Sequence, residues 1–71
     1  MNKAEREEWE DGEICLWFLN DEGLYNYAKA CKSGTQLWNR LQRDGMTRIH
    51  GIYASKRRCN LIMDDILART K

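Results

Sequence analysis

Residues 55–67 read SKRRCNLIMDDIL. Cys59, Ile62, Met63, Ile66 and Leu67 fall at i, i+3, i+4, i+7 and i+8, the spacing of one apolar helical face. Ser55 stands where an N-cap belongs, so the stretch predicts an amphipathic helix. Lys56, Arg57 and Arg58 crowd its first turn, the wrong end for positive charge by the helix-dipole argument. Two readings stay open for them, use in binding or ordinary solvated charge. One step back, Leu37, Trp38 and Leu41 predict a helix over 36–44 with Arg40 and Arg43 outward. Ser33 or Thr35 would cap its start and Gly45 its end. Before that, Asp21 is placed as the N-cap of a helix over 22–32, with Leu24, Tyr27 or Ala28, and Cys31 inward and Tyr25 outward. Residues 14–19, ICLWFL, read as a buried helical turn through Ile14, Trp17 and Phe18. Residues 1–12 read as a mobile acidic arm carrying one aromatic, Trp9, and ending at Gly12. Residues 46–54, MTRIHGIYA, stay open between a helical turn and an extended loop hinged at Gly51.

The fold expected is mainly α: a small compact bundle of three to four short helices over 13–71, one domain, behind the arm at 1–12. The expected core is Trp17, Phe18, Leu37, Leu41, Ile62 and Ile66. Composition agrees with this. The chain has 71 residues, 42% of them hydrophobic, with no proline and no valine. Absence of valine disfavours a sheet protein. No apolar run approaches the roughly 18 residues of a membrane span, and the acidic N-terminus does not resemble a signal peptide. The expectation is a soluble cytoplasmic protein. So short a chain rarely encloses an ordinary substrate pocket, which argues against an enzyme.

No phosphate-binding glycine loop, HExxH or GxSxG motif occurs. The carboxylate pairs Glu7-Glu8, Asp21-Glu22 and Asp64-Asp65 read as surface pairs, without the burial that acid–base catalysis requires. Cys15, Cys31 and Cys59 are an odd number with no CxxC, and read as free thiols. With His50 they are the only conceivable Cys₃His ligand set, at spacings that match no compact zinc module, so no metal or cofactor is expected.

The net charge of +1 hides an asymmetry. Residues 1–23 carry eight acids against two bases, a net of −6, and residues 24–71 carry ten bases against three acids, a net of +7. Either the acidic head folds back on the basic body, or the molecule presents two partner surfaces of opposite sign. Three binding readings follow. YNYAKACKSGTQLWNRLQRDG at 25–45 has a helix-turn-helix outline, although Arg40 and Arg43 stand where its second helix should pack inward. Arg40, Arg43, Arg48, Lys56, Arg57 and Arg58, with Tyr53 among them, suit contact with nucleic acid by phosphate neutralisation and base stacking. Asp21, Glu22 and Tyr25 at a helix start, with Trp9 as a further exposed aromatic, suit a basic protein segment.

The segment LNDEGLYNYA at 19–28 resembles the NDEGLY stretch of small proteins encoded in phage and prophage genomes. In size, acidic head, NDEGLY and basic tail, nearly the whole chain is similar to the small transcription antiterminators of lytic Xanthomonas phages, which bind host RNA polymerase. The resemblance implies a monomeric, helical non-enzyme in the bacterial host cytoplasm. It implies docking on the N-terminal region of the polymerase β′ subunit near the RNA exit channel. The consequences would be suppressed pausing and intrinsic termination and inhibited initiation at host promoters. The basic residues of the C-terminal half separately suggest an auxiliary contact with nascent RNA. Two alternatives remain: a helix-turn-helix DNA-binding regulator, or a small inhibitor of a host defence nuclease.

Overall fold

The computed structural model describes residues 1–69. Its centre is the helix predicted from 55–67, here α4 (Lys56–Arg69), which packs against each of the other three helices. Cys59, Ile62, Met63 and Ile66 are buried on its inner face, while Leu67, the last residue of the stripe, is exposed. Ser55 accepts a hydrogen bond from the Arg58 N–H (3.2 Å), as an N-cap does. The other helices are α1 (Lys3–Asn20), α2 (Glu22–Lys29) and α3 (Gly34–Arg43), so the fold is a small, mainly helical bundle. The core joins Ile14, Phe18, Ala28, Leu37 and Leu41 to the inner face of α4.

The separate arm at 1–12 is corrected. Asn2 caps α1 by accepting from the Glu5 N–H (2.8 Å), and the helix runs unbroken through Gly12 to Asn20. A glycine inside a helix costs about 0.5–1 kcal/mol relative to alanine. Ion pairs from the acidic half of α1 to α4 stand against that cost. The Asp21 carboxylate then caps α2 by accepting from the Leu24 N–H (3.0 Å). Helix α2 stops at Lys29, three residues short of the expected end. Ser33 caps α3 through the Gln36 N–H (3.2 Å), and the Gln36 side chain accepts from the Lys32 N–H (2.7 Å). Gly34, the first residue of α3, is required by packing: a Cβ there would stand 2.7 Å from the Asn60 Cα on α4.

The end of α3 is a Schellman motif. Gly45 takes a φ of +71°, its N–H donates to the Gln42 carbonyl (3.3 Å), and the Met46 N–H donates to the Leu41 carbonyl (2.9 Å). Residues 46–54 form neither a helical turn nor a plain loop. They make a minimal hairpin, β1 (Arg48–Ile49) and β2 (Ile52–Tyr53), with Arg48 opposite Tyr53 and Ile49 opposite Ile52. His50 and Gly51, at φ +50° and +82°, give its turn the left-handed pair that matches strand twist. The period of two puts Ile49 and Ile52 into the core and leaves Arg48 and Tyr53 outside.

Trp17 is the second correction. With Ile14 and Phe18 turned fully inward, Trp17 lies at the flank of α1, 38% exposed. Its ring stacks on His50 at the hairpin turn, with centroids 3.7 Å apart and planes 20° from parallel.

Candidate functional site

Charge organises the surface. Arg57 grips the Asp11 carboxylate with both ends of its fork, Nη1 to Oδ2 and Nη2 to Oδ1, each at 2.9 Å. Arg58 donates Nε to Asp11 Oδ1 (2.7 Å) and Nη1 to the Tyr53 carbonyl (3.0 Å), and its Nη2 lies 3.6 Å from Glu10. Glu7 lies 3.6 Å from Arg57. Burial works to raise the Asp11 pKa, but the hydrogen bonds and charges of the two guanidiniums outweigh it, so its carboxyl ionises below the ordinary aspartate range. The acidic head therefore folds back on the basic body. Positive charge at the start of α4 is matched by α1, which is why it can stand at the disfavoured end of the helix dipole.

This removes Arg58, 6% exposed, from the expected nucleic-acid contacts, and leaves Arg57 committed to Asp11. Arg48 lines the same hollow as Arg57 and Arg58, together with Glu7, Glu10 and Tyr53. Its Nη1 donates to the Gly51 carbonyl (3.2 Å), across the hairpin turn. Lys56 is exposed beside them. Arg40 and Arg43 lie apart on α3. The Arg40 guanidinium sits 4.0 Å from the Tyr27 ring centroid and donates to the Tyr27 carbonyl (2.8 Å). Arg43 pairs with Asp44 (3.1 Å), which also accepts from the Tyr27 hydroxyl (2.7 Å). Burial, reinforced by that acceptor, pushes the Tyr27 phenol up to about 12. The six cations thus do not share one face. Arg69 is exposed on the last turn of α4, and Lys71 lies outside the described residues.

The acidic candidates divide as well. Asp21 and Glu22 are exposed at the start of α2, and Glu22 shares a hollow with Leu19, Asn20, Tyr25 and Arg69. Tyr25 is half-buried against the edge of the core rather than exposed, with Lys29 Nζ 5.9 Å from its ring centroid. Trp9 is 53% exposed but stands twelve residues before Asp21 along α1, about 18 Å at 1.5 Å per residue. It belongs to a different surface.

A groove between α1 and α4 went unread in the sequence. Gly12, Cys15, Leu16 and Leu19 line one wall; Leu61, Asp64, Asp65 and Arg69 line the other. Leu16 and Leu61 are 51% and 37% exposed. The signal was present in ICLWFL, because six consecutive apolar residues on a helix point all round and cannot all be core.

The thiols and the histidine are dispersed. Cys31 and Cys59 are buried, Cys15 is half-buried beside the groove, and His50 is exposed under Trp17. Among the described residues no three of His, Cys, Asp and Glu are grouped to hold a metal ion. Burial pushes the Cys15 and Cys59 thiols up to about 11, with Asp65 and Asp11 adding to the effect at Cys15. Among the described residues no helix is long and apolar enough to cross a membrane. No family model, curated protein or solved structure matches this chain.

Proposed function

We propose that this chain is a small non-enzymatic phage regulator that docks on the host bacterial RNA polymerase and alters pausing, termination and initiation by binding. The observation carrying this reading is the start of α2 within the NDEGLY segment. Asp21 and Glu22 are exposed there, and Tyr25, half-buried, lines the same hollow as Glu22. A basic segment, such as one in the N-terminal region of β′, would pair with the acids and lay its side-chain stems against the ring. Asp21 and Glu22 enter no ion pair among the described residues, so no internal salt bridge has to be broken for them to act. An auxiliary contact with nascent RNA falls to Lys56 and Arg48, because Arg57 and Arg58 are engaged by α1.

The test uses purified host polymerase. Asp21→Asn with Glu22→Lys keeps a capping oxygen on α2 while reversing the local charge. This variant should keep the wild-type circular dichroism, melt slightly lower because positive charge now stands at the start of α2, and lose polymerase binding at least tenfold. Lys56→Ala with Arg48→Ala should leave polymerase affinity unchanged and weaken terminator read-through most at low salt. Wild-type affinity in the Asp21/Glu22 variant overturns the assignment of this surface.

A further inference from the structure

We infer that the α1–α4 groove is a docking groove for a basic amphipathic helix, seated with its apolar ridge between Leu16 and Leu61. The inference takes the identity of the partner, host polymerase, from the reading above, but the surface stands on separate observations. The first is Gly12. Glycine weakens a helix interior, yet a Cβ at Gly12 would meet nothing within 4 Å. Unlike Gly34, it is not required by the packing of this chain. What it does is keep one wall of the groove free of side-chain bulk, so that another chain can come close to the backbone there.

The second observation is shape. Asp11 meets Arg57 and Arg58 at the start of α4, and Leu19 shares a hollow with Arg69 at its end, so α1 and α4 run side by side in the same direction. Two adjacent helices leave a furrow that accepts the ridge of a third. Here the furrow encloses about 560 Å³ and is open to solvent. The third is charge. Asp64 and Asp65 rim it and are exposed, Glu8 stands one turn before Gly12, and Arg69 is the one cation among its lining residues. A second copy of this chain would bring like charges together. A helix with lysines or arginines flanking leucines complements both rim and floor.

The probes are a synthetic Leu/Lys amphipathic peptide of about 18 residues, roughly five helical turns, its Leu/Glu counterpart, and purified host polymerase. The Leu/Lys peptide should shift amide resonances of residues 12–19 and 61–65, and the Leu/Glu peptide should not. Gly12→Gln fills the hollow with a better helix former. It should raise the melting temperature while weakening both peptide and polymerase binding at least tenfold, which no loss of folding can mimic. Leu16→Glu, at an exposed position, should weaken both to a similar degree. Wild-type peptide affinity in both variants, or peptide shifts confined to residues 5–8, overturns the groove. So does sedimentation showing a wild-type dimer that Leu61→Glu dissociates, because a second copy then covers it. If polymerase binds the wild type and both groove variants equally, the groove inference fails and the docking reading survives. If the peptide seats in the groove while polymerase ignores the wild type, the docking reading fails and the groove survives.

Discussion

Asp11 is one carboxylate shared by two guanidiniums, and its replacement separates charge from shape. Asp11→Asn keeps the size of the side chain but leaves Arg58, nearly buried, with only the longer 3.6 Å pairing to Glu10. Arg58→Ala leaves Asp11 paired with Arg57, so its cost is that of the lost charge-assisted hydrogen bonds, about 1.5–3 kcal/mol; chemical denaturation measures it. The pH dependence has a definite sign. The Asp11 pKa is lower in the folded chain than in the unfolded one. Its contribution is therefore complete above the unfolded value of about 3.9 and disappears as pH falls through the folded value. Wild-type melting temperature should drop across that acid range, and Asp11→Asn should flatten the drop. Nothing in the sequence marks Asp11 among eight head acids, because what distinguishes it is the position of Arg57 and Arg58 across the helix pair.

Elements were legible where a local rule fixes them. Asp21, Ser33, Ser55 and Gly45 cap helices by hydrogen bonds to neighbours within five residues, so their roles can be read from spacing. The hairpin was not legible: its strands are two residues each, and His50 at φ +50° is not a usual first turn residue. Trp17 was misplaced because a period shared by three large residues does not say which of them turns to the flank. Gly34→Ala should destabilise by about 1–3 kcal/mol, as overpacking does, because α4 must back away from α3; a thermal melt checks it. His50→Asn keeps a residue that tolerates positive φ but removes the ring over Trp17. The far-ultraviolet circular dichroism should hold while Trp17 emission changes, and a loss of helix instead would mean that the stack supports the fold.

For the whole molecule, the core sets the scale. Leu41→Ala or Ile62→Ala, each removing a fully buried side chain, should cost about 2–5 kcal/mol. That is a large share of the roughly 5–15 kcal/mol a domain has in total. At alkaline pH the sign reverses from the Asp11 case. Cys15 and Cys59, pushed up to about 11, stay protonated in the folded chain when unfolded thiols have ionised. Their stabilisation is complete below about pH 8.5 and is lost as pH rises through the folded values. Alkylation at pH 8 should accordingly be slow in the native protein and rapid in urea. The bundle as a whole was legible in the sequence because it rests on helical periodicity. Its surfaces were less so, since partners and grooves are made by residues far apart in the chain.

The pairing of Asp11 with Arg57 and Arg58 spans 46 and 47 positions of sequence, and that distance has a meaning in time. At roughly 5–20 residues per second of synthesis, the acidic helix waits several seconds before its counter-charges exist. Helices in proteins draw most of their stability from tertiary packing, and α1 meets its ion-pair partners only once α4 exists. A contact of that span carries the loop-closure entropy of the whole intervening chain, which we expect to delay it on the folding route. Asp11→Asn should therefore leave the refolding arm of a chevron almost unmoved and steepen the loss on the other side, with the native chain opening faster. The clamp sets how long the folded molecule lasts rather than how quickly it forms.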